Sequence, residues 1–263
     1  MIKERVILPS QGFPYNEKIE GNSILVTPIT TRVYKDFLYS EGEDNLLNLV
    51  DSCLVECPLK AEDFCFADLL AVYIKIRSIS LGNSIPVSSV CPKCNVKQET
   101  FLELNNLECN YLSIDKYPIE VLLPDSKTKI SVCIPSSKSA RIAKEEAQKR
   151  ASNYNKPLKE FLPIYTTLID IRLDSVKDLV SKADWYDNLS IKDAMFIDQV
   201  YTLIQDFGIT TTQNVTCPSC KTTYKVPLQI NKDFFRTTVR SIEGFKTTKG
   251  TLEKGPDWAG ENV

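Results

Sequence analysis

The chain has 263 residues, with 32 Lys+Arg against 34 Asp+Glu and a formal charge of −2, which argues against a protein that grips nucleic acid through an overall basic excess. Apolar residues make up 43% and charged residues 25%, enough to bury one large core or two modest ones. Histidine is absent, which removes Ser-His-Asp and Cys-His catalysis, His-ligated metals and a histidine pH switch together.

No run approaches the ~20 apolar residues of a membrane helix. Met1–Val6 lacks the apolar stretch of a secretory signal, so the nine cysteines are expected in a reducing cytosol, where close pairs are more often metal ligands than disulfides. Pro9, Gly12 and Pro14 break the first segment into an extended arm with turns, residues 1–22. A short strand is predicted over Ser23–Ile29, then helices over Asn45–Val55 and Phe66–Leu81, the latter stopped by Gly82. Strands follow at Thr100–Leu104, Ile119–Leu123 and Lys129–Ile134. The chain then turns helical at Ser139–Arg150, from Pro157 to near Asp170, and from the N-cap Ser190 to Phe207. Arg240–Val263, rich in glycine, lysine and threonine, reads as a flexible tail.

Two blocks repeat without a gap. Cys91-Pro92-Lys93-Cys94 with Leu102-Glu103-Leu104-Asn105 matches Cys217-Pro218-Ser219-Cys220 with Leu228-Gln229-Ile230-Asn231, and 217 − 91 = 126 equals 231 − 105. Gly208 lies the same 126 positions after Gly82, so each unit reads helix, glycine stop, loop, Cys-Pro-x-Cys, strand. One Cys-x2-Cys turn supplies half of a tetrahedral thiolate site, and two supply all of it. Cys91, Cys94, Cys217 and Cys220 are thus expected to hold one structural Zn2+ per chain in a split zinc ribbon. A redox pair would open a helix after a strand, whereas each pair here follows a helix and precedes a strand. Cys53, Cys57, Cys65, Cys109 and Cys133 show no paired ligand spacing and read as small buried side chains.

No phosphate-loop, dinucleotide or hydrolase-elbow motif occurs. Asp170 with Asp174, and Asp184 with Asp187, read as solvated or capping carboxylates. Ser136, Ser137, Lys138 and Ser139 offer a Ser–Lys dyad on paper, but form an ordinary helix start after Pro135. The basic set Lys138, Arg141, Lys144, Lys149 and Arg150 is interrupted by Glu145 and Glu146, as on a solvated face. No active site emerges, and a cysteine nucleophile would lack a base.

The expected fold class is α+β: helices with short antiparallel strands, two duplicated helix–knuckle–strand units joined through a split zinc-ribbon site of four cysteines. Its parts are the arm 1–22, a first half 23–110, an inserted region 111–189, a second half 190–239 and a tail 240–263. Leu8-Pro9-Ser10-Gln11-Gly12, Val26-Thr27-Pro28-Ile29-Thr30, Ile76-Arg77-Ser78-Ile79-Ser80-Leu81-Gly82 and the first knuckle occur in that order. Together they resemble the baseplate hub subunit family of T4-like contractile-tailed phages. The resemblance implies a virus-encoded, non-enzymatic structural or assembly protein, with other hub or tail proteins as partners and no small-molecule substrate. It places the work in the host cytoplasm during assembly, with the virion tail baseplate as the second location. The competing class is a zinc-ribbon nucleic-acid-binding factor, disfavoured by the charge and by the lack of basic–aromatic interleaving near the knuckles. Phe13 and Tyr15 at one end, and Phe245 and Trp258 at the other, are expected as anchors, mobile in the isolated chain and ordered against a neighbouring subunit.

Overall fold

A helix with apolar residues on every side must be buried, and the segment Phe66–Leu81 has that character. In the computed structural model, which describes residues 2–15, 18–40, 42, 44–174 and 176–235, this segment is the axis of the larger of two cores. The elements in chain order are β1 (Glu4–Ile7), β2 (Ser23–Val26), α1 (Thr31–Tyr39), α2 (Asn45–Cys53), β3 (Leu54–Val55), α3 (Phe66–Leu81), β4 (Ser84–Val90), β5 (Lys97–Glu103) and β6 (Cys109–Asn110). There follow β7 (Ile119–Leu122), β8 (Lys129–Val132), α4 (Ser137–Tyr154), α5 (Leu162–Leu168), β9 (Ile171–Arg172), α6 (Leu179–Asp187), α7 (Ile191–Leu203), β10 (Gly208–Ile209), β11 (Thr212–Thr216) and β12 (Thr223–Pro227). Seven α-helices and several small antiparallel sheets make the described residues a mixed α/β structure.

The first core gathers α3, the sheet β1-β2-β3, α1 and α2, and the hairpins β4–β5 and β11–β12. The start of the chain belongs to it, which corrects the expectation of a mobile arm for the described residues there. β1 pairs antiparallel with β2, Val6 and Leu8 point inward two residues apart, and Tyr15 is buried against Phe64. Ser10 donates from its backbone N–H and its hydroxyl to the buried carboxylate of Asp68. Tyr15 accepts the Cys65 N–H at 2.7 Å. The breakers shape this segment into turns, and two inward residues with two polar locks suffice to hold it. The expected tail anchors Phe245 and Trp258 lie outside the described residues.

α1 was not expected from the sequence. It is short and amphipathic, with Phe37 buried and Val33 and Leu38 packed partly against the first core, and the Thr30 hydroxyl caps it by accepting the Val33 N–H. β4 was likewise unexpected, because Pro86 lies within it; there it pairs with Phe101 of β5 in a two-stranded sheet. The helix expected from Pro157 resolves into a 3-10 turn (Leu158–Glu160) and α5, and the helix expected to Phe207 ends at Leu203.

The second core is built from β7-β8-β9 and α4 to α7, around Leu123, Ile130, Tyr165, Leu168, Ile171 and Ile197. The chain therefore leaves the first core after β5, builds a second, and returns to complete the first with β11 and β12. At the neck the outgoing and returning strands pair: β6 runs antiparallel to β10, with Asn110 opposite Gly208. The expected second unit is thus divided, since α7 packs in the second core and its knuckle strands in the first. Between the cores, the Ser137 N–H donates to Phe64 O, and Arg141 pairs with Glu62 at 2.7 Å.

A candidate metal centre between two hairpins

Each Cys-Pro-x-Cys segment is the turn of a β-hairpin, β4–β5 for the first and β11–β12 for the second. The two turns close alike. The N–H of Asn95 donates to Cys91 O at 2.9 Å, and that of Lys221 to Cys217 O at 2.9 Å. The N–H of Cys91 donates to Val96 O at 3.0 Å, and that of Cys217 to Thr222 O at 2.9 Å. Asn95 and Lys221, again 126 apart, adopt left-handed backbone with φ of 56° and 58°. Asparagine tolerates that conformation well; lysine does so only where the turn enforces it.

Period-2 alternation sends the cysteines and the strand residues of like parity to one face of each hairpin. Ile85 and Leu102 on one face, and Val215 and Val226 on the other, are buried in the first core. The faces meet at Tyr224, whose hydroxyl accepts from Gln98 Nε2 at 2.6 Å and bonds Ser89 Oγ at 2.8 Å. The Gln213 side chain takes both backbone groups of Glu103, donating to its C=O at 2.7 Å and accepting its N–H at 3.2 Å. This fixes the two hairpins in register and brings their turns to one end.

There the four thiols converge. Cys91 Sγ lies 3.6 Å from Cys220 Sγ, and Cys94 Sγ lies 3.6 Å from Cys217 Sγ, so the close contacts cross between hairpins. All four sulfurs lie within 4.8 Å of one another. A tetrahedron with metal–sulfur bonds of about 2.3 Å has sulfur–sulfur edges of about 3.8 Å, so the set fits a four-coordinate metal ion. Cys91 and Cys217 are buried, while Cys94 and Cys220 are partly exposed. None of the nine cysteines is in a disulfide.

Donors to sulfur favour the thiolate form at Cys217 and Cys220. Hydrogen bonds from the Thr222 side chain and backbone hold Cys220 down to about 6. Backbone N–H groups of Cys220 and then Ser219, against the effect of burial, hold Cys217 below the ordinary thiol range. Cys94 receives the equivalent bond from the Val96 backbone, but burial and the three facing thiols push it upward. Four thiols around one point cannot all ionise without a cation, and a metal ion removes that conflict. The Thr222 hydroxyl was not singled out from the sequence; a hydroxyl two residues after the last cysteine is the signal that marks it.

The other sequence candidates lie elsewhere. Ser136 is the N-cap of α4, with its hydroxyl accepting the Ser139 N–H, and Lys138 reaches Glu62 at 3.6 Å. Asp170 is enclosed, with one carboxylate oxygen unpartnered, while Asp174 and Asp187 face solvent. Asp184 pairs with Arg150 at 2.8 Å. Within the basic set, Arg141 is on Glu62, Lys149 on Glu146, and Arg150 also lies over the Tyr154 ring. Cys53, Cys65 and Cys133 are buried, and burial pushes the Cys53 thiol up to about 11.

Fold and site define a two-core α/β protein whose hairpins meet at a closed set of four thiols. The chain matches the family model described as T4 bacteriophage base plate protein over residues 12–236, and it belongs to that family. No curated protein and no solved structure matches the chain.

Proposed function

We propose that this chain is a non-enzymatic component or assembly factor of the baseplate hub of a contractile-tailed phage, with its two hairpins clamped by one structural zinc on Cys91, Cys94, Cys217 and Cys220. The observation that carries the reading is the coincidence of the family match with a donor set of four thiols and no carboxylate. Catalytic zinc keeps an open position for water, whereas four thiolates complete a tetrahedron. Zinc suits the set because thiolate ligands favour it and tetrahedral geometry costs it nothing. The matched turns, equivalent residue by residue across 126 positions, support descent of the two hairpins from one repeated unit.

Other hub or tail proteins are the expected partners. Exposed apolar residues support this: Ile191, Met195 and Leu203 occupy one face of α7 at 77%, 55% and 73% exposure. No helix among the described residues is long and apolar enough to cross a membrane. The test is to tag the chain during infection, in the host cytoplasm where assembly would place it, and identify what co-purifies. Baseplate and tail proteins should be enriched, and comparison of virions with lysate then separates a retained component from a transient factor. Enrichment of nucleic acid and transcription proteins instead would overturn the reading in favour of a nucleic-acid-binding ribbon.

A further inference from the structure

A β-strand at the side of a sheet leaves half of its backbone N–H and C=O groups without a partner strand. β4 pairs with β5 alone, and the bonds at its ends fix which half is free. The N–H of Cys91 donates to Val96 O, and that of Leu104 to Asn83 O, so the odd-numbered positions of β4 turn their backbone groups to β5. Ser84, Pro86, Ser88 and Val90 turn theirs the other way. The Ser84 carbonyl accepts from Arg77 Nη2 at 3.5 Å, and Pro86 has no N–H to offer. The rest of this edge presents the Pro86 carbonyl and both groups of Ser88 and Val90, which meet no partner among the described residues. A groove of about 710 Å³ runs along it, walled by Val87, Ser89, Tyr224, Lys225 and Val226, so the edge is open to a further strand.

The other hairpin edges differ. On β12 the bonds at the strand ends turn Thr223, Lys225 and Pro227 outward, and lysine and proline are residues that guard an edge. On β5 the Gln213 side chain occupies both backbone groups of Glu103, and Lys97 and Glu99 stand along the same edge. β11 is shorter and bears no exposed large apolar side chain. β4 bears one. Val90 is 56% exposed, on the same face as Phe101, which is 41% exposed and lies opposite Pro86 on β5.

We propose that β4 pairs with β4 of a second copy of this chain, antiparallel about a two-fold axis at Ser88. In that register each Ser88 donates its N–H to the Ser88 carbonyl of the other copy, and each Val90 N–H meets the Pro86 carbonyl across the axis. Every free donor from Pro86 to Val90 is then used, and the N–H that Pro86 lacks leaves only the Val90 carbonyl to water. The same register lays Val90 of one copy beside Pro86 and Phe101 of the other, which covers both exposed apolar side chains. The two hairpins become one four-stranded sheet in the order β5-β4-β4-β5. A proline placed where the two-fold needs no donor, and apolar groups that cover one another across it, fit a self-complementary contact and so a second copy.

Sedimentation velocity of the full chain from about 1 to about 200 µM tests this. So small a contact is expected to be weak, with the average mass rising toward twice that of the chain at the top of the range. Amide exchange at Ser88 and Val90 should slow about fivefold over that range, while Asn214 on the outer edge of β11 stays unchanged. Ser88 is exposed, so Ser88→Glu leaves the hairpin intact and sets two carboxylates opposite each other at the axis. Ser88→Glu and Ser88→Lys should each remain monomeric alone, and an equimolar mixture of the two should associate at least as strongly as the parent. A monomer mass across the whole range, dimers that Ser88→Glu does not weaken, or a mixture that stays monomeric would each overturn the proposal. Slow exchange at Ser88 and Val90 in the monomer at about 1 µM would overturn it too, because the chain would then cover its own edge.

Discussion

Arg77 is enclosed at the C-terminal end of α3 and binds only backbone carbonyls among its described partners. Nε donates to Phe234 O at 2.9 Å, Nη1 to Gly82 O at 2.7 Å and Nη2 to Ser84 O at 3.5 Å. One side chain thereby joins the end of α3, the start of β4 and the segment that follows β12. Burial lowers its affinity for the proton to about 10, which records the cost of enclosing the charge without a carboxylate. Arg77→Met keeps most of the volume and removes every donor. With roughly 1 kcal/mol for each of three carbonyls left unpaired, and some relief from losing the buried charge, the expected loss is about 2–4 kcal/mol. Arg77→Ala adds a cavity and should lose about 3–5 kcal/mol. Equilibrium urea denaturation reads both, through the midpoint at unchanged slope. If Arg77→Met falls within about 0.5 kcal/mol of the parent, the guanidinium–carbonyl bonds do not hold these three elements together.

Burial raises Asp170 to about 6, with Ser139, Lys182 and Arg172 only partly offsetting it. A raised carboxyl binds its proton more tightly in the folded state, so its contribution is present at low pH and is lost as pH rises through about 4 to 6; Asp170→Asn should therefore stabilise the protein by about 1–3 kcal/mol at pH 7 and flatten that slope in a melting series. Gly208 has φ +118°, and a Cβ there would lie 2.9 Å from Ala67 Cβ, so Gly208→Ala should cost about 1–3 kcal/mol by thermal melt; an unchanged melting temperature would contradict the tight neck. The two cores predict separable unfolding. In a Trp258→Phe background, Cys217→Ser should loosen the hairpins while the fluorescence transition of Trp185, which packs against the second core, shifts by less than about 1 kcal/mol.

The parts legible in the sequence were those with strong local signals. α3 matched its predicted span because an apolar run closed by Gly82 states both its character and its end. The cysteine spacing pointed to the four residues that the structure brings together. What stayed hidden depended on tertiary partners. α1 carries one buried residue, β4 carries a proline, and the start of the chain is held by Asp68, which is more than fifty positions away. α7 follows the same 126-residue offset as the knuckle but packs in the other core, a choice that no periodicity encodes.

The central claim is that one zinc ion joins the two hairpins. Native mass spectrometry of the full chain, purified without added metal, tests it in one spectrum. One zinc per chain, absent from Cys217→Ser, is the predicted result. A metal-free mass at full folding, or a mass two hydrogens light from a disulfide within either Cys-Pro-x-Cys turn, would contradict it.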